Sequence, residues 1–309
     1  MNQFQVKKVA VLGAGVMGAQ IAAHLVNVKV PVVLFDLPPK DGPKNGVVLK
    51  AVDNLRKLKP APLGLADEAG LIQAANYEEH LELLKECDLV IEAIAERMDW
   101  KLDLYKKIAP FIAPHTIVAS NTSGLSITSL SEALPETLRH RFCGVHFFNP
   151  PRYMPLVELI PTAATEPALL DHLATFLVSQ LGKGVVRAKD TPNFIGNRIG
   201  VFSILSVIHH TAAFKLGFDE VDALTGPLLA RAVPYMVTSG FAERSLDAVF
   251  APHPGTPPIP YSIADRSEAA ASPLAQVFLS LLGLAEQRFS VDWVLGLLDS
   301  PAIRARFGL

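Results

Sequence analysis

Apolar and polar positions alternate in blocks that predict strands and helices in turn along the first two thirds of the chain. Short apolar runs bounded by turn residues indicate buried parallel strands, and longer periodic runs indicate helices. The predicted strands are 8–12, 30–35, 89–93, 116–120, 142–148, 156–160 and 185–188, and the intervening helical segments include 19–25, 79–86 and 99–109. This order predicts an α/β protein with a doubly wound, mostly parallel sheet.

The first strand runs directly into a glycine-rich turn with the pattern G-x-G-x-x-G, and a helical pattern follows. The first glycine permits the tight turn, the second lets the backbone approach a pyrophosphate, and the third lets helix and strand pack closely. The helix N-terminus offers N–H groups to the phosphates. We therefore predict a Rossmann-type cofactor site at the turn residues Gly13, Gly15, Val16, Met17 and Gly18.

The second strand ends in Asp36, 18 residues after Gly18. An acidic residue at this place accepts hydrogen bonds from the adenosine ribose hydroxyls and repels a 2′-phosphate, so NAD is favoured over NADP. The alternatives without cofactor binding are a glycine turn with a purely structural role and an aspartate that only ends a strand.

A histidine and a glutamate stand twelve residues apart in two later strands, as His146 in HFFNP and Glu158 in LVELI. Histidine is suited to accept a proton near neutral pH, and a carboxylate on its second nitrogen fixes the tautomer. A histidine between apolar residues is more often a core residue, but a carboxylate in an apolar strand is costly unless it is paired. Behind a dinucleotide fingerprint, the two predict oxidation of an alcohol with His146 as general base.

Four segments together resemble the 3-hydroxyacyl-CoA dehydrogenase family, and the similarity is greatest to the dehydrogenase portion of bacterial multifunctional fatty-acid oxidation enzymes. The resemblance covers residues 1–228, and a KLKPAPL segment at 57–63 adds to it. The four segments are GAGVMG at 13–18, SNTSGLSIT at 120–128, HFFNP with LVELI at 146–160, and KDTPNFIGNR at 189–198.

The resemblance implies NAD-dependent oxidation of (S)-3-hydroxyacyl-CoA to 3-oxoacyl-CoA in fatty-acid β-oxidation. It also implies a role for each matching polar residue. These are His146 as general base, Glu158 as its orienting partner, Ser123 and Asn197 on the substrate oxygens, Asn149 by the nicotinamide ribose, and Glu96 and Lys101 lining the cofactor pocket.

Composition excludes several other classes of function. The net charge of -2 gives no general attraction to nucleic acid or membrane, and no run of 18 apolar residues occurs. Two cysteines are too few for a disulfide framework, and His209-His210 lacks a third ligand at metal spacing, so we predict no metal and a cytoplasmic location. One basic cluster has two possible roles: it is either a solvent-exposed helix face or a binding site for the phosphates of an acyl-CoA thioester. The cluster consists of Lys44, Lys50, Arg56, Lys57 and Lys59.

A domain boundary is predicted at 190–192, with Thr191 as N-cap and Pro192 as first residue of a helix that runs toward Ala213. This gives an NAD-binding domain at 1–190 and a smaller helical domain at 191–309. The family pattern ends near residue 229, and no lysine follows Lys215 although fifteen precede or include it. Residues 230–309 are a divergent helical domain, a replaced segment or an out-of-frame tail, and the homodimer that the resemblance implies is left open.

Two other functions remain open. A 3-hydroxyacid dehydrogenase that acts on a small free acid shares the N-terminal fold, although the HFFNP…E pair argues against it. A catalytically inactive NAD-binding or structural relative, of the crystallin kind, is the second alternative. Intact Ser123, His146, Glu158 and Asn197 argue for chemistry.

Overall fold

The computed structural model describes residues 5–202 and residue 217. Within this part the strands are β1 Val9–Leu12, β2 Val32–Asp36, β3 Ile72–Asn76, β4 Leu89–Glu92, β5 Ile117–Ser120, β6 Phe142–Phe147, β7 Leu156–Pro161 and β8 Gly184–Arg187. The α-helices are α1 Val16–Asn27, α2 Gly46–Leu55, α3 Met98–Ile108, α4 Ile127–Ser131, α5 Glu136–Arg139 and α6 Pro167–Ser179. Short 3-10 helices lie at Ala66–Leu71, Leu81–Glu86 and Ala109–Phe111, and a further helix begins at Gly196.

All the strands lie in one sheet with the order β3-β2-β1-β4-β5-β6-β7-β8. The pairs from β3 across to β6 are parallel, β7 is antiparallel to β6, and β8 is parallel to β7. The chain begins at β1, winds to one edge through β2 and β3, and then returns to β4 on the other side of β1. The crevice between the carboxyl ends of β1 and β4 is therefore a topological switch point, where such sheets bind ligands.

Both faces of the sheet are covered, which explains why the central strands are continuous apolar runs rather than alternating ones. Val9 and Val11 of β1 belong to a core beneath α1, α2 and α6, whereas Ala10 and Leu12 belong to a second core beneath α3, α4 and α5. All four residues are fully buried. The predicted doubly wound, mostly parallel α/β fold is confirmed.

The observed elements depart from the predicted ones in several places. The predicted elements do not include β3, α2, α4, α5 or α6, and the segment predicted as helical at 79–86 is a 3-10 helix at Leu81–Glu86. The run IQAAN of β3 contains two polar residues among three apolar ones, so it lacks the apolar signal of the other parallel strands.

The helix boundary predicted at Thr191 and Pro192 is wrong. Residues 192–195 form turns, and the helix begins at Gly196. Asn193 and Phe194 have φ values of 64° and 45°, and this left-handed backbone cannot continue a right-handed helix. The main-chain amides that follow are therefore available to an acceptor elsewhere in the molecule.

Predictions for the tail lie outside the described residues. These are the continuation toward Ala213 of the helix after the predicted domain boundary, the second helix from Phe218, the His209-His210 pair and the whole of 230–309. Among the residues that the structure describes, none forms a helix long and apolar enough to cross a membrane. In the same residues, no group of three or more histidine, cysteine, aspartate or glutamate side chains is placed to hold a metal ion.

Candidate active site

The glycine turn has the geometry that a pyrophosphate requires. Gly13 has a φ of 105°, and a Cβ on Gly18 would lie 1.8 Å from the Gly13 carbonyl oxygen, so only glycine fits at either position. A Cβ on Gly15 would meet nothing within 4 Å, which leaves the backbone open to a ligand. Helix α1 begins here with no side-chain cap and no acidic residue in its first turn. Its amides and positive dipole end suit a diphosphate.

The turn is held from the next strand by Asp36. One carboxylate oxygen accepts a hydrogen bond from the Ala14 amide at 2.6 Å, and the other accepts one from the Leu37 amide at 2.6 Å. Val16, directly after Gly15, is 69% exposed on the open side of the turn. Met17 is partly buried against the core. The predicted cofactor residues at this end of the site are thus together, and they fit a dinucleotide.

His146 and Glu158 face each other across the antiparallel pair of β6 and β7. His146 Nδ1 lies 2.7 Å from Glu158 Oε2, and the two residues are 3% and 0% exposed. A carboxylate acceptor requires the proton on Nδ1, so Nε2 carries the lone pair. The twelve-residue separation in sequence is therefore a direct contact, because the turn between the strands puts the two positions in register.

The second oxygen of Glu158 is held by residues 190–196, the segment after β8 that we call the joint. Glu158 Oε1 accepts hydrogen bonds from the main-chain amides of Ile195 at 2.9 Å and Gly196 at 2.8 Å. The rings of Phe148 and Phe194 lie 4.5 Å and 5.7 Å from the His146 ring. Both side chains of the pair are thus fixed in orientation, and the left-handed residues of the joint place the amides that do so.

Ser123 and Asn197 are brought together although 74 residues separate them. The Asn197 amide nitrogen donates to the Ser123 carbonyl oxygen at 3.4 Å, and both residues are exposed or half-buried. A Cβ on Gly124 would lie 3.1 Å from the Asn193 side-chain oxygen, so the loop after β5 packs against the joint. The structure places the two predicted substrate-binding residues side by side.

Glu96 holds the same loop from the other direction. Its Oε1 accepts hydrogen bonds from the Thr122 hydroxyl, from the Ser123 amide at 2.9 Å and from the Gly124 amide at 3.1 Å. Burial raises the pKa of Glu96, but the Thr122 hydrogen bond and the charge of Lys101 outweigh it, so the pKa lies below its usual value. Glu96 is therefore an anion at neutral pH, with its Oε2 3.7 Å from Lys101 Nζ.

Asn149 follows β6 and meets the first helix. Its side-chain oxygen accepts a hydrogen bond from Gln20 Nε2 at 3.3 Å, and Gln20 also donates to the Val16 carbonyl oxygen at 3.1 Å. This contact joins the strand that carries His146 to the helix that begins at the glycine turn. Gln20 was not predicted from the sequence, because a polar residue on a buried helix face gives no local signal of its partner.

Asp190 is a second polar residue that the sequence analysis did not assign to the site. Its carboxylate accepts hydrogen bonds from the Ser126 hydroxyl at 2.9 Å and from the amides of Ile127 at 2.9 Å and Thr128 at 2.8 Å. It thereby ties the joint to the first turn of α4, directly after the Ser123 loop. Its position inside the matching segment KDTPNFIGNR at 189–198 was the available signal.

The predicted basic cluster is largely neutralised. Lys44 pairs with Glu79 at 2.6 Å, and Arg56 and Lys57 both pair with Asp53, at 3.4 Å and 2.7 Å. Pairs this exposed are weak and can be exchanged for a stronger anion, so a phosphate-binding role stays a prediction. Both cysteines are buried, and burial raises the pKa of each thiol to about 12, in keeping with core packing.

The fold and the glycine turn define a dinucleotide-binding protein of the Rossmann class, which also contains a buried histidine–glutamate contact. The chain belongs to the 3-hydroxyacyl-CoA dehydrogenase family, because the model of that family's NAD-binding domain matches residues 8–191. The predicted family and the predicted cofactor, NAD, are confirmed. A second model, the fourth domain of the RecBCD enzyme subunit RecC, matches residues 271–309, a segment too short to assign the chain to that family.

Relatives match about three quarters of the chain. A Deinococcus radiodurans protein that carries the name 3-hydroxyacyl-CoA dehydrogenase is 44% identical over 229 residues, which are 74% of this chain and 66% of the relative. A Rickettsia prowazekii protein named for a fatty acid oxidation complex trifunctional enzyme is 44% identical over 223 residues, 72% of this chain and 31% of the relative. The chain thus spans less than two thirds of the length of both.

A solved structure has the same fold. FadB2 from M. tuberculosis superposes with a TM-score of 0.61 and 28% sequence identity. The superposition covers 77% of this chain and 83% of FadB2. This similarity supports the fold.

Proposed function

We propose that the protein oxidises (S)-3-hydroxyacyl-CoA to 3-oxoacyl-CoA with NAD, and that His146 is the general base. The observation that carries the proposal is the buried His146–Glu158 contact of 2.7 Å, with the second oxygen of Glu158 held by two main-chain amides. The names of the relatives, which are those of hydroxyacyl-CoA dehydrogenases, supply the substrate class.

The site residues divide into those that hold NAD and those that hold the substrate. NAD, when bound, supplies the nicotinamide ring that accepts the hydride. The residues that would hold it are Gly13, Gly15, Val16, Met17, Gly18, Asp36, Glu96, Lys101 and Asn149. Ser123 and Asn197 would donate hydrogen bonds to the substrate oxygens, and a donor aimed at the developing carbonyl stabilises the transition state.

The proton on the substrate hydroxyl goes to His146 Nε2 in this mechanism. Nδ1 keeps its proton and donates a hydrogen bond to Glu158, so the imidazolium that forms lies against a buried carboxylate. Ion pairing with that carboxylate stabilises the charged ring, and the contact with Phe148 keeps the ring plane fixed. General-base catalysis of this kind contributes about 10²–10⁴-fold to a rate.

The test is NADH formation from (S)-3-hydroxybutyryl-CoA and, in parallel, from free (S)-3-hydroxybutyrate. We expect oxidation of the thioester and little of the free acid. Replacement of His146 by alanine should lower turnover by about 10²–10⁴-fold while the dissociation constant for NAD stays the same. Preference for the free acid would favour the small-acid dehydrogenase, and NAD binding without oxidation of either compound would favour the inactive relative.

The domain division, the oligomeric state and the location belong to the same proposal. The family match ends at residue 191, which supports a boundary between 1–190 and 191–309. A homodimer and a cytoplasmic location stay predictions. Light scattering on the purified chain measures the first, and fractionation of cells that produce the chain measures the second.

A further inference from the structure

Beneath the site lies a buried carboxylate that the proposed mechanism does not use. Glu92 is the last residue of β4 and is 0% exposed, at the switch point of the sheet. Each of its oxygens accepts two hydrogen bonds. Oε1 accepts from Lys101 Nζ at 2.5 Å and the Ile94 amide at 2.8 Å, and Oε2 accepts from the Ser120 hydroxyl at 2.7 Å and the Tyr105 hydroxyl at 2.9 Å.

The Lys101 ammonium depends on Glu92 for its place in the interior. Lys101 is 1% exposed, and its other polar neighbours are the Ile94 carbonyl oxygen at 3.4 Å and Glu96 Oε2 at 3.7 Å. A buried cation is strongly unfavourable without a charged partner in direct contact. Of the two carboxylates, Glu92 is the one within hydrogen-bond distance, so it fixes where the ammonium lies.

The position of Lys101 is transmitted to the loop that carries Ser123. Glu96 lies between them, with one oxygen toward the ammonium and the other on the amides of Ser123 and Gly124. A second connection runs through Ser120, whose hydroxyl donates to Glu92 and accepts from the Thr122 amide at 3.3 Å. Both routes begin at the same carboxylate.

The ends of this network also meet the glycine turn. A Cβ on Gly13 would lie 2.7 Å from the carbonyl oxygen of Ala93, the residue after Glu92. The Ala93 amide in turn donates to the Leu12 carbonyl oxygen at 2.7 Å. The carboxyl end of β4 is thus in direct contact with the backbone that would receive the diphosphate.

We propose that Glu92 is a positioning residue for cofactor binding, which acts by holding the Lys101 ammonium against Glu96 at the carboxyl edge of β4. The inference rests on the proposed function for the identity of the cofactor pocket. The role of Glu92 is additional to that proposed function, because Glu92 itself touches neither cofactor nor substrate. The effect of its charge on NAD passes through Lys101, because a neutral side chain of the same shape at position 92 can keep the connection through Ser120.

The experiment is a double-mutant cycle of Glu92→Gln and Lys101→Met, read by NAD affinity from the quenching of tryptophan fluorescence. Glutamine keeps the shape of Glu92 and can accept from Lys101, while the two hydroxyls can turn to accept from its amide nitrogen. Only the charge is lost. We expect Glu92→Gln to raise the dissociation constant for NAD about 10- to 100-fold, the loss of a charged hydrogen bond.

The double variant separates positioning from stability. Because Glu92 acts through Lys101, the double variant should bind NAD within about twofold of Lys101→Met alone. It should nevertheless unfold at a higher temperature than Lys101→Met, which leaves the Glu92 charge buried without its cation. Multiplicative losses of NAD affinity, or an unchanged affinity in Glu92→Gln, would overturn the proposal.

Controls and a second readout complete the test. The matched control is Glu86→Gln, which removes an exposed carboxylate paired with Lys8 and should leave NAD affinity unchanged. Amide hydrogen exchange at Ser123 and Gly124 should speed up in Glu92→Gln, and unchanged exchange would contradict the connection through Glu96. If Glu92→Gln fails to fold, Glu92→Asp shortens the side chain and draws the carboxylate away from Lys101, and unchanged NAD affinity in that variant overturns the proposal.

The readout also separates this inference from the function on which it rests. NAD titration does not require turnover. A wild-type protein that binds NAD but leaves (S)-3-hydroxybutyryl-CoA unoxidised contradicts the proposed function, whereas the cycle still reports on Glu92.

Discussion

His146 differs from an ordinary core histidine in what its partner is bound to. Glu158 accepts from His146 with one oxygen and from two amides of the joint with the other, so it can neither rotate nor turn away. The ring is therefore held with Nδ1 as donor, and Nε2 is the atom that can take a proton. This orientation is the property that a general base needs and that simple packing does not provide.

Replacement of Glu158 by glutamine should lower kcat about 10²–10⁴-fold while NAD affinity stays the same. The amide oxygen can keep the contacts with Ile195 and Gly196, which leaves the amide nitrogen to donate to His146 Nδ1. That forces the ring proton onto Nε2, where the base must be unprotonated. Steady-state kinetics with an NAD titration measure the effect. A kcat within threefold of wild type would show that Glu158 has a structural role only.

Replacement of Gly196 by alanine should lower kcat by about 10- to 100-fold, because small misplacements of a reacting group are costly. The new Cβ would lie 2.6 Å from Phe148 Cζ, and Phe148 would be pushed toward the His146 ring that it already contacts. The matched control is Gly200→Ala in the same helix, where a Cβ meets nothing within 4 Å. Equal kcat values in the two variants would contradict the prediction.

The residue types of the site could be predicted from the sequence, but several of their contacts could not. His146, Glu158 and the glycines stand in motifs whose chemistry is local. The hydrogen bonds from the main-chain amides of Ile195 and Gly196 to the Glu158 carboxylate span 37 and 38 residues, and they depend on two left-handed residues, Asn193 and Phe194. Phenylalanine rarely adopts that conformation, so its sequence gives no warning of it.

At the level of elements, the site is a meeting of the loop after β5 with the joint after β8. Asp190 provides the connection, since its carboxylate accepts from the first amides of α4, Ile127 and Thr128, in addition to the N-cap that Ser126 supplies. Burial raises the pKa of Asp190, but hydrogen bonds from Thr128, Ile127 and Ser126 outweigh it and leave the pKa below its usual value. The charged form is therefore the one that stabilises the fold.

Replacement of Asp190 by asparagine should destabilise the protein by about 1–3 kcal/mol at pH 7. The NH₂ group of asparagine is a donor, and it would take the place of an oxygen that accepts hydrogen bonds from α4. A depressed folded-state pKa contributes stability above the usual aspartate pKa and loses it as the pH falls through the folded value. The difference between wild type and variant should therefore shrink in acid. Urea unfolding at neutral and acidic pH measures it.

The exposed Asp171→Asn, which removes the partner of Arg187, is the control for Asp190. We also expect the KM for the thioester to rise in Asp190→Asn, since the Ser123 loop loses its anchor. A difference in stability that is constant with pH would contradict the assignment of the charged form.

Elements with a strong apolar period could be predicted, and those defined by polar contacts could not. Strands β1, β4 and β5 are four-residue runs that are buried throughout, and the pattern reveals them. The start of the joint helix was predicted wrongly because Thr191 and Pro192 are a good local cap. The competing interaction, with Glu158, is a tertiary one that local preference does not contain.

At the scale of the whole described part of the molecule, two basic groups besides Lys101 are buried where α1 meets the segment after α6. Lys183 is 4% exposed and donates to the carbonyl oxygens of Pro151 and Met154. His24 of α1 is 8% exposed, and its Nε2 lies 3.2 Å from the Leu181 carbonyl oxygen. Burial lowers the pKa of Lys183 to about 8, and burial with the charge of Lys183 lowers the pKa of His24 to about 4.

The depressed pKa of His24 makes the stability of the protein depend on pH. Between pH 6.5, the ordinary value, and about 4, the unfolded chain binds a proton at His24 that the folded protein does not bind. Stability is therefore fully present above this window and falls as the pH is lowered through it. The carbonyl oxygen of Leu181 remains satisfied in the neutral form, which is the form that the fold selects.

His24→Gln removes the titration and keeps a donor for the Leu181 carbonyl. Between pH 7 and pH 5, the free energy of unfolding of wild type should fall about 2 kcal/mol more than that of the variant. Urea unfolding at the two pH values measures the difference, and His115→Gln, at an exposed position, should behave like wild type. Equal pH dependence in wild type and His24→Gln would mean that His24 is protonated inside the fold, with water or a rearranged helix end as its partner.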